Sequence, residues 1–180
     1  MHRYSRITQL LVLLTFSGAS LAEVRYAADN GFFLEVTREV AASPAMSYAQ
    51  FIRVGEWWDS DHTWFGDAAR LSLAEEAGGC FCERAGDRSA FHMLVTYVDP
   101  GKAMHLVGGL GPLQGLGLHG AMAWKFEELD DGGTRIVHSY RVTGYYPEGL
   151  QNLAKVVDQV QTGQVDALQA RLNRGAAAPE

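Results

Sequence analysis

Apolar and polar positions along the chain change their period twice, and each change marks a new kind of element. Residues 31–41 (Gly-Phe-Phe-Leu-Glu-Val-Thr-Arg-Glu-Val-Ala) are β-branched and aromatic with partial alternation, which predicts a strand. Ser43-Pro44 follows, a cap residue with proline at the first helical position, and predicts a helix over 44–53 with Met46, Ala49 and Phe51-Ile52 towards one side. Gly55 breaks that helix, Glu56-Trp57-Trp58 reads as a second short helical turn, and 59–67 reads as a polar loop with embedded aromatics. From Arg70 the period falls to two. Strands are predicted over 70–75, 80–85, 90–98, 102–107, 119–128 and 134–143, joined by Gly/Asp turns and one glycine-rich connection at 108–117. Six consecutive strands on mostly short joints form an antiparallel meander. Over 148–174 the spacing turns helical, with Leu150, Leu153, Val157, Val160, Leu168 and Leu172 on one stripe. That helix is on the order of 25 residues, or about 37 Å, long. Gly163 near its middle predicts a bend or a close approach by another group.

Ahead of this pattern lies a segment of another kind. His2, Arg3 and Arg6 make a basic start, residues 10–16 make a short apolar core, and Ser20-Leu21-Ala22 places small residues where a signal peptidase needs them. The apolar run is shorter than the roughly 20 residues that span a bilayer. Residues 1–22 are therefore expected to be a signal peptide cleaved after Ala22, with the product periplasmic or secreted and not stably inserted in a membrane. No cysteine near the cleavage site offers a lipid anchor. The expected organisation is 1–22 signal peptide, 23–174 one domain, and 175–180 a disordered tail.

Composition narrows the function classes. The 180 residues are 47% hydrophobic and 20% charged, enough apolar content for one folded core. The formal charge of −6 argues against nucleic-acid binding, and losing Arg3 and Arg6 makes the chain more acidic still. Two cysteines are too few for a disulfide scaffold.

The predicted order is strand, two short helices, six strands, long helix. The long apolar stripe needs a partner, and one face of the antiparallel sheet is the only large surface on offer. A twisted sheet curving round a helix often leaves a cavity between them. The arrangement, with Ala42-Ser43-Pro44, Trp57-Trp58, Gly78-Gly79-x-Phe81, Asp99-Pro100 and Gly133-Thr134-Arg135, resembles the SRPBCC superfamily, also called the START or birch-pollen-allergen helix-grip fold. The likeness covers about 32–172 and is greatest to the branch of heat-shock chaperone ATPase activators. The stretches Trp58-Asp59-x3-His62-Thr63 and Gly78-Gly79-Cys80-Phe81-Cys82-Glu83 look like an uncharacterised exported bacterial subgroup. The resemblance implies an α+β fold in which a curved antiparallel sheet of about seven strands wraps a long C-terminal helix.

Several residues are candidates for chemistry. If Glu128 pairs with Thr134 in the last hairpin, then Met122, Trp124, Phe126, Ile136, His138 and Tyr140 share the apolar face, with Lys125, Glu127, Arg135 and Arg141 opposite. His138 and Tyr140 then stand either in the core, satisfied locally, or in the cavity as ligand-orienting groups. The run Trp57-Trp58-Asp59-Ser60-Asp61-His62-Thr63-Trp64-Phe65 is the densest chemical cluster, and most of its tryptophans must be buried or line an opening. Asp59 or Asp61 beside His62 would make an acid–base pair in outline, and the alternative is a set of plugs and turn caps. Cys80 and Cys82 sit two apart on a strand, with α-carbons near 6.5–7 Å by strand geometry, at the limit for a disulfide. A disulfide, two buried thiols, and metal ligation by Cys80, Cys82 and His92 all remain open, the last on the premise that Cys82 opposes His92. Residues 108–118 mix glycine with leucine and read as an apolar lip over a cavity, or as a loop packed against the first helix.

The expected function is an exported binding protein holding a lipid-like or aromatic small molecule between sheet and helix, without a cofactor. The ligand-binding candidates are Trp58, His62, Trp64, Leu113, Trp124, His138, Tyr140 and Val157. The resemblance also implies two alternatives. One is a cyclase-, dehydratase- or hydrolase-like enzyme using a histidine acid/base, with His62, Asp61, His138 and Tyr140 as candidates. The other is a protein-interaction domain like the chaperone activators.

Overall fold

A computed structural model describes residues 23–176, so the signal peptide expected at 1–22 and residues 177–180 of the expected tail lie outside it. The strands are β1 (Glu23–Ala28), β2 (Gly31–Val40), β3 (Leu71–Leu73), β4 (Cys80–Ala85), β5 (Arg88–Asp99), β6 (Ala103–Val107), β7 (His119–Glu128) and β8 (Thr134–Thr143). Two α-helices accompany them, α1 (Pro44–Ile52) and α2 (Gln151–Ala176). The eight strands form one antiparallel sheet in the order β1-β2-β8-β7-β6-β5-β4-β3. Thus β3 to β8 are the predicted meander, and β8 returns to pair with β2 along its whole length.

Three details differ from the sequence expectation. β1 is an added edge strand on β2, and its residues Val24–Ala28 are mostly exposed and lack the apolar alternation of a half-buried strand. The second short helix is a 3-10 turn at Val54–Glu56, just before Trp57-Trp58, and further 3-10 turns stand at Ser60–His62, Ala68–Arg70 and Gly111–Leu113. α2 runs uninterrupted through Gly163 and on to Ala176, so Gly175 is helical and not part of a tail. Nothing lies within 4 Å of where a Cβ on Gly163 would stand, so no close approach uses that glycine.

The hairpin parity holds residue for residue: Met122 pairs with Tyr140, Trp124 with His138 and Phe126 with Ile136. These six side chains are buried, while Lys125, Glu127, Arg135 and Arg141 are exposed on the other face. At one end of the concave face the rings of Tyr48, Phe51, Trp57, Trp124 and Phe126 pack together, with Phe51 and Trp124 centroids 4.9 Å apart. This cluster fastens α1 to β7 and anchors the chain leading into the Trp58–Phe65 segment. α2 packs mainly on β2 and β1, with Ala154, Val165, Leu168 and Leu172 buried and Leu150 buried just ahead of its first residue.

Gly120 on β7 fixes the neighbouring ring of Tyr140, because a Cβ there would stand 2.4 Å from the ring. Two glycine substitutions should therefore move stability in opposite directions in urea titrations. Gly163→Ala should stabilise by about 0.5–1 kcal/mol through helix propensity. Gly120→Ala should destabilise by about 1–3 kcal/mol through overpacking.

Candidate functional site

α2 is not apolar on a single stripe but on two. Leu153, Val157 and Val160 are only half-buried and Val156 is exposed, and these four form one wall of a pocket of ≈ 310 Å³. Phe81 on β4, His92 on β5 and Tyr140 on β8 belong to the sheet side. Trp58, Asp61, His62, Thr63 and Trp64 come from the loop after α1, and Leu110, Gly111, Pro112, Leu113 and Leu116 from the glycine-rich connection. The lining is chiefly leucine, valine and aromatic rings, the composition expected of a small-molecule site.

Each loop is tied down by identifiable bonds. The Tyr140 hydroxyl donates to Gly108 O at 3.1 Å and accepts from the Leu110 amide at 3.0 Å. Gln114 Nε2 donates to the carbonyls of Phe91 (2.6 Å) and His92 (2.7 Å). The glycine-rich connection is thus a wall tethered to the sheet at both ends of its 3-10 turn. Across the pocket, Asp59 Oδ1 caps the Ser60–His62 turn by accepting from the Asp61 amide. The Trp58 indole donates to His62 O at 3.1 Å and its ring meets Phe81 edge-on. Trp64 remains half exposed beside the opening.

Of the predicted ligand-binding residues, Trp58, His62, Trp64, Leu113, Tyr140 and Val157 converge on this pocket. Trp124 and His138 do not: they pack on each other with ring centroids 4.1 Å apart, behind the lining. His138 is fully buried and its Nε2 meets Gln161 Oε1 at 3.0 Å, so it reaches the pocket only through Gln161, which lines it. Burial holds the His138 imidazole neutral, its pKa pushed down to about 4. Tyr140 is pushed up to about 12 by burial, and its hydroxyl is spent on the loop.

Of the two acids expected beside His62, one approaches it. Asp59, not Asp61, approaches His62, with Oδ2 3.4 Å from Nδ1. Gln164 of α2, buried, accepts from the Asp59 amide with Oε1 and donates from Nε2 to His62 Nδ1 at 3.1 Å. Nδ1 thus stands between the Gln164 side-chain amide and the Asp59 carboxylate.

The cysteine region departs from regular pairing. A bulge between Phe81 and Cys82 sets Cys82 opposite Phe91 instead of His92. The two cysteine α-carbons stand 5.5 Å apart, below the regular strand spacing, and Cys80 and Cys82 are joined as a disulfide. Neither cysteine lines the pocket. The metal alternative at Cys80, Cys82 and His92 is thereby corrected, because the sulfurs are bonded to each other and His92 is paired elsewhere. No group of three or more His, Cys, Asp or Glu side chains able to hold a metal occurs among the described residues.

His92 pairs instead with an acid that no sequence motif marks. Glu83, fully buried on β4, accepts from the Phe65 amide with Oε1 (2.8 Å) and from the Trp64 amide with Oε2 (2.9 Å). The same Oε2 stands 3.3 Å from His92 Nε2. The signal was present in the alternation, since Glu83 shares the face of Phe81 and a lone acid there demands partners. Those partners are backbone amides from a distant loop, which no side-chain pattern announces. Burial lowers the His92 pKa, outweighing the opposing hydrogen bond and charge of Glu83.

Solved structures share this architecture at low identity. The chain matches an uncharacterised protein from Rhizobium leguminosarum with TM-score 0.59 and 18% identity, over 82% of this chain and 97% of that one. It matches DynU16, a protein of the dynemicin biosynthetic locus, with TM-score 0.56 and 16% identity, over 79% of this chain and 48% of that one. Ara h 8.0201 matches with TM-score 0.50 and 15% identity, over 79% of this chain and 97% of that one. These likenesses establish the helix-grip fold. No family model and no curated protein sequence matches the chain.

The buried histidines predict how stability depends on pH. His138 titrates near its usual 6.5 when unfolded and at about 4 when folded, and His92 is shifted the same way. The unfolded chain therefore binds more protons in that window, so the stabilisation is complete above about pH 6.5 and lost as pH falls towards 4. Urea denaturation should give a free energy about 2 kcal/mol lower at pH 5 than at pH 7 from His138 alone. His138→Leu should flatten that dependence.

Proposed function

We propose that this chain is an exported binding protein that holds a hydrophobic small molecule in the pocket between the sheet and α2. The observation that carries this reading is the ≈ 310 Å³ pocket itself, walled by Leu113, Leu153, Val157 and Val160 with Trp58 and Trp64 beside them. Buried valine and leucine normally pack against one another, and here an apolar stretch of α2 is held open by a tethered loop. A volume near 300 Å³ is at the small end of the roughly 300–1,000 Å³ of ligand sites, which suits a compact aromatic or short-chain molecule. The helix-grip fold supports a ligand-binding role.

The export half of the proposal rests on residues 1–22, and their removal leaves every described strand intact, β1 beginning at Glu23. Expressed whole in a Gram-negative host, the protein should be recovered from the periplasm with Glu23 as its first residue. Retention in the cytoplasm with Met1 intact would overturn export.

Binding is tested with N-phenylnaphthylamine, a neutral apolar fluorophore. The protein should take it up saturably at one site. Val157→Glu places a carboxylate against the pocket while keeping helix propensity, and it should weaken uptake by at least about tenfold with the fold retained. Equal uptake by the variant would remove the pocket as the site.

A further inference from the structure

Trp58 and Phe81 each line two spaces at once. On one side is the ≈ 310 Å³ pocket, and on the other a void of ≈ 10 Å³ walled by apolar side chains that include Phe51, Leu73, Leu106 and Trp124. The Trp58 and Phe81 rings meet edge-on with centroids 5.2 Å apart, so the two together are a partition between the spaces. The smaller space is at the lower limit for one water molecule, and its lining is aliphatic and aromatic, so it stays dry. Burial gives the chamber a direction. Trp64, Leu116 and Val156 are exposed and form the mouth, whereas Trp58 and Phe81 are buried at depth.

The partition is fixed from both sides. The Trp58 indole is held by its bond to His62 O at 3.1 Å. Phe81 packs against the His92 ring with centroids 4.9 Å apart, and its backbone is bracketed by the Cys80–Cys82 disulfide. Other deeply buried residues of the lining are backed by polar groups instead. Tyr140 is tied to Gly108 and Leu110, and Gln161 to His138. The partition is therefore the place where the pocket can deepen without uncovering a buried polar group.

We propose that Phe81, backed by Trp58, is the floor that sets the length of apolar molecule the pocket takes, and so selects a compact ligand over a long-chain lipid. The inference rests on the pocket-binding reading above and adds a size limit to it. The inner end of the ligand lies against the Phe81 ring, and surplus length passes out between Trp64, Leu116 and Val156 into water. Each methylene buried adds about fourfold in affinity, whereas carbons left in water add nothing. A fixed floor thus shows itself as a break in affinity against chain length.

The test displaces N-phenylnaphthylamine with straight-chain primary alcohols from hexanol to dodecanol, on wild type, Phe81→Ala and Phe126→Leu. In wild type the affinity should rise by about fourfold per methylene and then stop within the series. In Phe81→Ala the rise should continue for about two or more further carbons, because the removed ring opens the way to the space behind it. Phe126 is buried but lines neither space, so Phe126→Leu should leave the break where it is. A wild-type series without a break, a break unmoved in Phe81→Ala, or one moved equally by Phe126→Leu would overturn the assignment while leaving the pocket standing. A fluorophore that binds but that no alcohol displaces overturns it as well. If neither fluorophore nor alcohols bind wild type, the pocket reading itself fails and takes this one with it. Should Phe81→Ala not fold, Phe81→Leu decides: a break moved outward by about one carbon supports the floor, and an unmoved break refutes it.

Discussion

Because α2 packs mainly on β1 and β2, its first turns stand across a gap from β4 and β5, and the curved sheet holds that gap open. Everything at the site follows from this one-sided grip. Leu150, Ala154, Val165, Leu168 and Leu172 are buried, whereas Leu153, Val157 and Val160 are only half-buried and Val156 is exposed beside the pocket. The two connecting segments then act as end walls, and each is pinned by hydrogen bonds rather than by apolar packing alone: Tyr140 and Gln114 hold one, Glu83 and Gln164 the other. An apolar chamber kept open in this way exchanges core packing for capacity, which is the usual trade at a binding site.

The polar groups behind the chamber share a logic. Gln161, Gln164 and Glu83 are buried, and each receives or fixes a histidine: His138, His62 and His92 respectively. His138 is sealed off with Trp124 in the core, His62 stands at the rim against Gln164 and Asp59, and His92 is held by Glu83 at the sheet wall.

Much of the fold was legible because strand turns are announced by glycine and aspartate, and because the hairpin parity of Met122 to Tyr140 follows from a single register. The long helix was equally visible, but its stripe could not be divided in advance. Leu153 and Leu168 look alike in sequence, and only the sheet's curvature decides which one meets a strand. β1 was missed because Val24–Ala28 is mostly exposed, so it carries little of the alternation that marks a half-buried strand. The bulge at Phe81/Cys82 hid the partner of His92, since one added residue reverses every facing relation beyond it. Trp58, His62, Trp64, Leu113, Tyr140 and Val157 were found because rings and leucines in polar or glycine-rich loops are conspicuous. Glu83, Gln161 and Gln164 were not, being ordinary polar residues until the fold buries them.

The central claim is that the gap beneath the first turns of α2 receives a hydrophobic molecule. Methyl NMR during titration with N-phenylnaphthylamine tests it most directly. Shifts are expected only at the methyl groups of Leu110, Leu113, Leu116, Leu153, Val156, Val157 and Val160, with Leu34, Val36 and Leu168 unmoved. Shifts at the second set, or none at the first with the probe bound, would contradict it.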